Sequence, residues 1–269
     1  MSTAVFEVAI TLPQRMGEVR KLVEKAELCN ETDPEFRDAL CRSASVLLVS
    51  HVEGFLKDVV SSICADLNYF VRDFSRMPES MKRDFSYRIS HYDGVPKCDI
   101  EKRTNKIKEF FTINSVPIDF DFLPIKENMG NPTVSSIDKY FTPIGINKIV
   151  SSLSSDFYHQ IFSGSASSAY KLLRKCKSSY SKVYSWPYQA YSNSDFKEPP
   201  NKGDPYATDA LWATFIEDML RRRHKIAHGS TLENTESTVN LERDINKVEI
   251  MITGIMIYAC GKIGSYYRA

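Results

Sequence analysis

The residues best equipped for chemistry are gathered in one short stretch, Arg221-Arg222-Arg223-His224-Lys225-Ile226-Ala227-His228-Gly229. It sets two of the chain's five histidines among four cationic side chains. Arginine presents a planar fork that grips phosphate oxygens and stabilises charge building on a phosphorane-like transition state. Histidine, which ordinarily titrates near pH ~6.5, takes or gives a proton close to neutrality. Together they suit phosphate chemistry without a metal. On RNA, a 2′-hydroxyl would attack its own adjacent phosphate, leaving a 2′,3′-cyclic phosphate and a free 5′-hydroxyl.

Two blander readings compete. Arginines in the last turn of a helix complement its negative end by about 0.3–1 kcal/mol each. Three in succession exceed that need, and it requires no histidines. A zinc site would use His224 and His228, which share a helical face, but zinc takes three or four protein ligands. No Cys, Glu or third His stands at a recognisable spacing, and Arg223 and Lys225 would oppose a divalent ion. No metal and no cofactor is expected. Geometry adds a constraint, because Arg223 and His228 point about 140° apart on an ideal helix. Two copies meeting across a twofold axis would each supply an Arg and a His to one shared cleft.

The elements that must position this stretch are helical. Leu211, Trp212, Phe215, Ile216, Met219 and Leu220 form an apolar face running into it, and Gly229 stands where a left-handed cap ends a helix. A polar loop over 230–240 leads to a last helix, Leu241 to about Gly264. The longest periodic segment starts at Asp33-Pro34-Glu35, a cap followed by a favoured first turn. Its stripe runs Phe36, Leu40, Ala44, Leu47, Leu48, Val52, Phe55, Val59, Ile63, Leu67, Phe70, predicting a helix of about 40 residues and about 60 Å. Gly54 inside it predicts a kink or the close approach of another backbone. Glu53 beside it is either a solvated carboxylate or a functional one. Helices are also predicted over Leu12–Leu28, 79–92, 101–111, 147–162 and 169–177, with a short strand within Ile113–Leu123. Lys171, Arg174, Lys175, Lys177 and Lys182, followed by Tyr180, Tyr184, Trp186, Tyr188 and Tyr191, suit a phosphate backbone and stacked bases. The same pattern also suits a solvated face packed on its neighbour.

A chain of 269 residues with 42% apolar and 26% charged residues supports a sizeable core in one large domain or two modest ones. A net charge of +1 argues against coating nucleic acid by bulk charge, while leaving room for a local basic patch. Six scattered cysteines without a CxxC pair predict reduced, mostly buried thiols. The first residues do not read as a signal peptide. The most apolar run, Val248–Cys260, is short for a bilayer span. A cytoplasmic protein without membrane contact is the expectation.

Arg223-His224-Lys225-Ile226-Ala227-His228-Gly229 resembles the Arg-polar-x-x-x-His signature of HEPN-domain ribonucleases, and its form is similar to the RiboL-PSP-HEPN or MAE-type branch. Ala44–Lys57, with Glu53-Gly54-Phe55, is similar to that branch's long first helix. The resemblance implies an all-α HEPN-like bundle; the proline-rich change of character from Gly94 to about Pro205 predicts a loop-rich, mostly helical insertion, about 94–204, in one domain over 1–269 with core helices about 4–93 and 205–267. The resemblance also implies dimerisation through the motif-bearing helices and metal-independent cleavage of RNA, tRNA or mRNA, by a toxin or phage-defence effector with an antitoxin or defence-system partner. Carried over by position, Arg223 contacts the scissile phosphate, His228 is the acid/base, His224 orients them, and Glu53 supports them from the first helix. Arg222 and Lys225, with Lys171, Arg174 and Lys175, are candidates for RNA contact. In one version of the motif a tyrosine two residues after the histidine is nucleotidylated; Ser230 stands there, so that regulation is not implied.

Overall fold

The computed structural model describes residues 1–29, 32–91, 94, 96–117, 131–163, 165–191, 210–229 and 236–268. Among them run α1 (Ala4–Ala9), α2 (Leu12–Leu28), α3 (Pro34–Phe70), α4 (Glu79–Ser90), α5 (Lys97–Ile113), α6 (Val134–Phe141), α7 (Asp156–His159), α8 (Ala166–Ser178), α9 (Ala210–Ala227) and α10 (Thr238–Arg268). Short 3-10 turns join some of them, and the fold is all-α, as the resemblance implies. No strand occurs among the described residues. The alternation beginning at Ile113 instead ends α5 and makes one isolated bridge, Asp73 to Pro117; residues 118–123 lie outside the described residues.

α3 begins as its sequence dictates. The Asp33 carboxylate accepts a hydrogen bond from the Phe36 amide at 3.0 Å, and Pro34 opens the helix. It runs 37 residues. Phe36 at its start is exposed, whereas Cys41, Val49, Leu56, Val60 and Cys64, outside the predicted stripe, are buried. The stripe widens because α3 is packed by α1, α2, α9 and α10 rather than by a single neighbour. At Gly54 no backbone of the described residues closes in. The Arg15 guanidinium of α2 lies 3.2 Å from where a Cβ would stand, while pairing with Asp58 one turn further on.

α10 is buried around nearly its whole circumference. Among the described residues it alone is long and apolar enough to cross a membrane by length and composition, but 89% of its most apolar window lies inside the bundle. Gly264 lets the chain after α8 press onto it, since a Cβ there would sit 2.0 Å from the Tyr188 carbonyl oxygen.

That chain carries the aromatics which the sequence offered as base-stacking groups, and packing claims most of them. Trp186 stacks on Phe70 with ring centroids 5.3 Å apart, Tyr191 stacks on Tyr258 at 5.1 Å, and Tyr180 and Tyr188 are buried. The Tyr188 hydroxyl donates to Asp66 at 2.6 Å, and the same carboxylate accepts from the amides of Ala4 and Val5 at 2.8 and 3.2 Å. One buried acid thus ties α1, α3 and this segment together. Burial pushes the Asp66 carboxyl above its ordinary range, with these hydrogen bonds opposing the shift. Its contribution to stability is therefore full below the ordinary carboxylate pKa and lost as pH rises through the raised value. Asp66→Asn should destabilise the protein, by an amount that shrinks as pH rises above the ordinary carboxylate range, about pH 4. Urea unfolding of both proteins at rising pH checks the sign.

The predicted helix over 147–162 breaks up into a 3-10 turn at Ile149–Leu153, then α7, then a second 3-10 turn at Gln160–Ser163. Serine hydroxyls compete there for the backbone. Ser152 donates to the Ile149 carbonyl and Ser154 to that of Ser151, both at 2.6 Å. From the middle of the chain, Ile137, Tyr140, Phe141, Leu153, Tyr158 and Tyr188 join the same hydrophobic core as α3 and α10. All six cysteines are free thiols; Cys41, Cys64, Cys176 and Cys260 are buried, while Cys98 is exposed.

Candidate active site

α9 delivers the basic stretch to the end of a packed helix. Trp212, Phe215, Ile216, Met219 and Leu220 are buried, and the Trp212 indole donates to the Leu153 carbonyl at 3.2 Å. α10 runs antiparallel beside it, with Lys247 over the Phe215 ring at 5.1 Å and Asp244 holding Arg222 near the other end. The last turn closes through the His228 amide to the His224 carbonyl at 3.0 Å and the Gly229 amide to Ile226 at 3.1 Å. Gly229 has φ +64°, the left-handed conformation expected of it, and no described residue comes within 4 Å of where a Cβ would go. Gly229→Ala should therefore cost only backbone strain, about 1 kcal/mol, and Gly229→Asn less. Denaturant midpoints of the two variants measure this.

The four cations in the stretch occupy different settings. Arg221 pairs with Asp218 at 2.6 Å on the exposed side. Arg222 is bound to Asp244 and lies 3.3 Å from Glu236, which fastens α9 to the start of α10. Arg223 continues the inward row of Ile216, Met219 and Leu220 and is half-buried, while Lys225 is exposed. Among the described residues neither Arg223 nor Lys225 has an ion-pair partner. His224 and His228 are both exposed, and their rings lie 4.1 Å apart at 52°. The structure thus brings the two histidines into contact; among the described residues, no hydrogen bond joins Arg223 to either.

Glu53 is half-buried on α3 and pairs with Lys57 at 2.7 Å. Tyr140 packs nearby, and its phenol is pushed up to about 12, by burial first and then by the charge of Glu53. Lys171, Arg174 and Lys175 are exposed on α8, opposite the buried Leu172 and Cys176, and Lys175 sits over the Phe157 ring at 4.0 Å. α8 rests on α10, whereas α9 rests on α3 and reaches α10 through Arg222 and Asp244, so these cations stand on a different helix from the basic turn. No three His, Cys, Asp or Glu side chains gather to hold a metal among the described residues. Ser230 lies outside the described residues.

Sequence reasoning missed the carboxylates that hold Arg222. The signal was present, because Asp244 falls between Leu241 and Ile245 where the helical pattern calls for core residues. It also missed a cleft of about 710 Å³ between α2, the start of α8 and the first turns of α10. Arg20 on its wall is held by Glu242 at 3.0 Å and by Asn246 and Glu249 at 2.9 Å each. No pattern within one segment announces a cleft built by three.

No curated protein and no solved structure gives a significant match to the chain. A family description does. The model for RiboL-PSP-HEPN matches residues 11–259, which include both the Glu53-Gly54-Phe55 segment of α3 and the Arg223–Gly229 end of α9, and the chain therefore belongs to that family, a HEPN-type module associated in general with RNA binding and cleavage.

Proposed function

We propose that this protein is a metal-independent endoribonuclease of the HEPN type, acting in the cytoplasm as a homodimer, in a toxin or phage-defence role. The observation that carries this reading is the exposed, touching pair His224 and His228, on the turn that follows half-buried Arg223, in a chain of this family. His228 removes the proton of an RNA 2′-hydroxyl, whose oxygen attacks the adjacent phosphorus. The bond from phosphorus to the 5′-oxygen breaks, and that oxygen takes up a proton. A cyclic phosphate and a 5′-hydroxyl result, with no water consumed. Arg223 neutralises the charge on the phosphoryl oxygens, and His224, packed against His228, holds the imidazole in place. Arg222 serves chiefly as the strut between α9 and α10. A partner copy completes the cleft, since residues five apart point about 140° from one another on an ideal helix.

A second reading, a non-catalytic module that binds RNA, nucleotide or a partner protein such as an antitoxin, draws on the absence of any bond between Arg223 and the histidines among the described residues. Incubation with tRNA and with mRNA, followed by analysis of the ends, separates the two. The ribonuclease reading expects 2′,3′-cyclic phosphate ends that form equally well in EDTA. Tight binding with intact RNA and no toxicity on expression would favour the second reading.

A further inference from the structure

None of the chain's 34 acidic residues falls between Phe157 and Ser194, while Lys171, Arg174, Lys175, Lys177 and Lys182 do. Like charges three and four residues apart on a helix cost about 0.2–0.5 kcal/mol per pair. The helix dipole offsets this only in the last turn, at Lys175 and Lys177. Those two also have internal contacts, Lys175 with the Phe157 ring and Lys177 with Glu249 at 3.9 Å. Lys171 and Arg174 lie in the middle of α8, exposed, with no ion-pair partner among the described residues. Beside them Tyr170 exposes 69% of its surface, although most other aromatics of this region are packed away. A membrane helix would need its apolar face free. Here Leu172 and Cys176 are buried against the bundle, which leaves only the cationic face to offer.

We infer that α8 is a docking surface for the phosphate backbone of single-stranded RNA, separate from the basic turn of α9. Lys171 and Arg174 neutralise successive phosphates, and Tyr170 gives one base a ring to stack on. Naming RNA as the polyanion rests on the ribonuclease reading. The position suits it. The start of α8 borders the 710 Å³ cleft together with the first turns of α10, where Arg243 is exposed on the rim. Another side of those same turns holds Arg222 through Asp244. A strand leaving the α9 turn would pass Arg243 to reach α8.

The test uses the full chain and a fluorescent RNA of about 12 nucleotides, within the usual range of single-strand sites, with its 2′-hydroxyls methylated so that it cannot be cut. The double variant Lys171→Glu/Arg174→Glu should weaken binding at least ~10-fold and reduce the slope of log K against log salt by about 1.4. Lys171→Arg/Arg174→Lys should bind as the unaltered protein does. Lys97→Glu/Lys102→Glu, the same charge change on the exposed face of α5, should change affinity less than ~2-fold, because distant surface charges are screened. Unchanged binding by the α8 charge-reversal variant overturns the proposal. So does an equal loss from the α5 variant, or tighter binding to phosphatidylserine vesicles than to RNA. A dinucleotide is too short to reach α8, so its cleavage should survive the α8 changes. If the unaltered protein cuts neither dinucleotide nor longer RNA, the ribonuclease reading fails, while the binding assay still decides the role of α8.

Discussion

His228→Ala is expected to slow RNA cleavage by about 10²–10⁴-fold, the usual worth of a positioned acid/base, with a melting temperature close to that of the unaltered protein. The two halves of this expectation have separate grounds. His228 is exposed beyond the last turn of α9, and among the described residues it touches the His224 ring and makes a capping bond through its amide, the latter retained by alanine. Fold and dimer should therefore persist. Arg223→Ala should lose comparable activity. Arg223→Lys should recover only part of it, because an ammonium lacks the planar fork. Full cleavage by both alanine variants would sink the catalytic reading. Mixing them tests the dimer as well. If each site takes Arg223 from one copy and His228 from the other, a mixed dimer holds one intact site and one doubly defective site. An equal mixture should then regain about a quarter of the normal rate, with random pairing of protomers. If one chain supplied both residues, every site would keep a defect and mixing would restore nothing.

Arg20→Ala should destabilise the fold by about 2–4 kcal/mol, somewhat below the usual cost of stranding a buried charge because Arg20 itself keeps some solvent contact. Glu249 is only 2% exposed, and Arg20 is its close cationic partner. The remaining cation, Lys177, stands 3.9 Å away. Without Arg20 a carboxylate is left in the middle of α10 with one of its oxygens already lacking a hydrogen bond in the structure. The double variant Arg20→Ala/Glu249→Gln removes the stranded charge and should recover most of the loss. A double-mutant cycle by denaturant unfolding reads the coupling. A loss below about 0.5 kcal/mol for Arg20→Ala would place this pair with ordinary surface bridges. The predicted effect is on stability first, because Arg20 braces α2 against the same turns of α10 that hold Arg222.

Some of this was legible in local pattern. The cap at Asp33, the proline start of α3, the apolar face of α9 and the left-handed Gly229 are each decided by residues within a turn or two, so spacing and residue type suffice. The motif Arg223–His228 was legible for the same reason. The segment over 147–162 was misread because hydrophobic period competes there with serine hydroxyls that bond the backbone locally. Within Ile113–Pro117 the alternation fits a helix end and one isolated bridge as well as it fits a strand, because the described run is short.

By itself, then, the sequence determined where helices start and stop, which face of each is apolar, and which turn gathers arginine with histidine, since these depend on contacts a few residues apart. Tertiary structure decided what the charged and aromatic side chains do. It bound Arg222 to Asp244, laid Arg15 over Gly54, packed Trp186 and Tyr188 into the bundle, and left Lys171, Arg174 and the His224–His228 pair exposed. Those outcomes join residues tens to hundreds of positions apart, and a cation's partner or a ring's burial is set by which helices meet, which no single segment encodes.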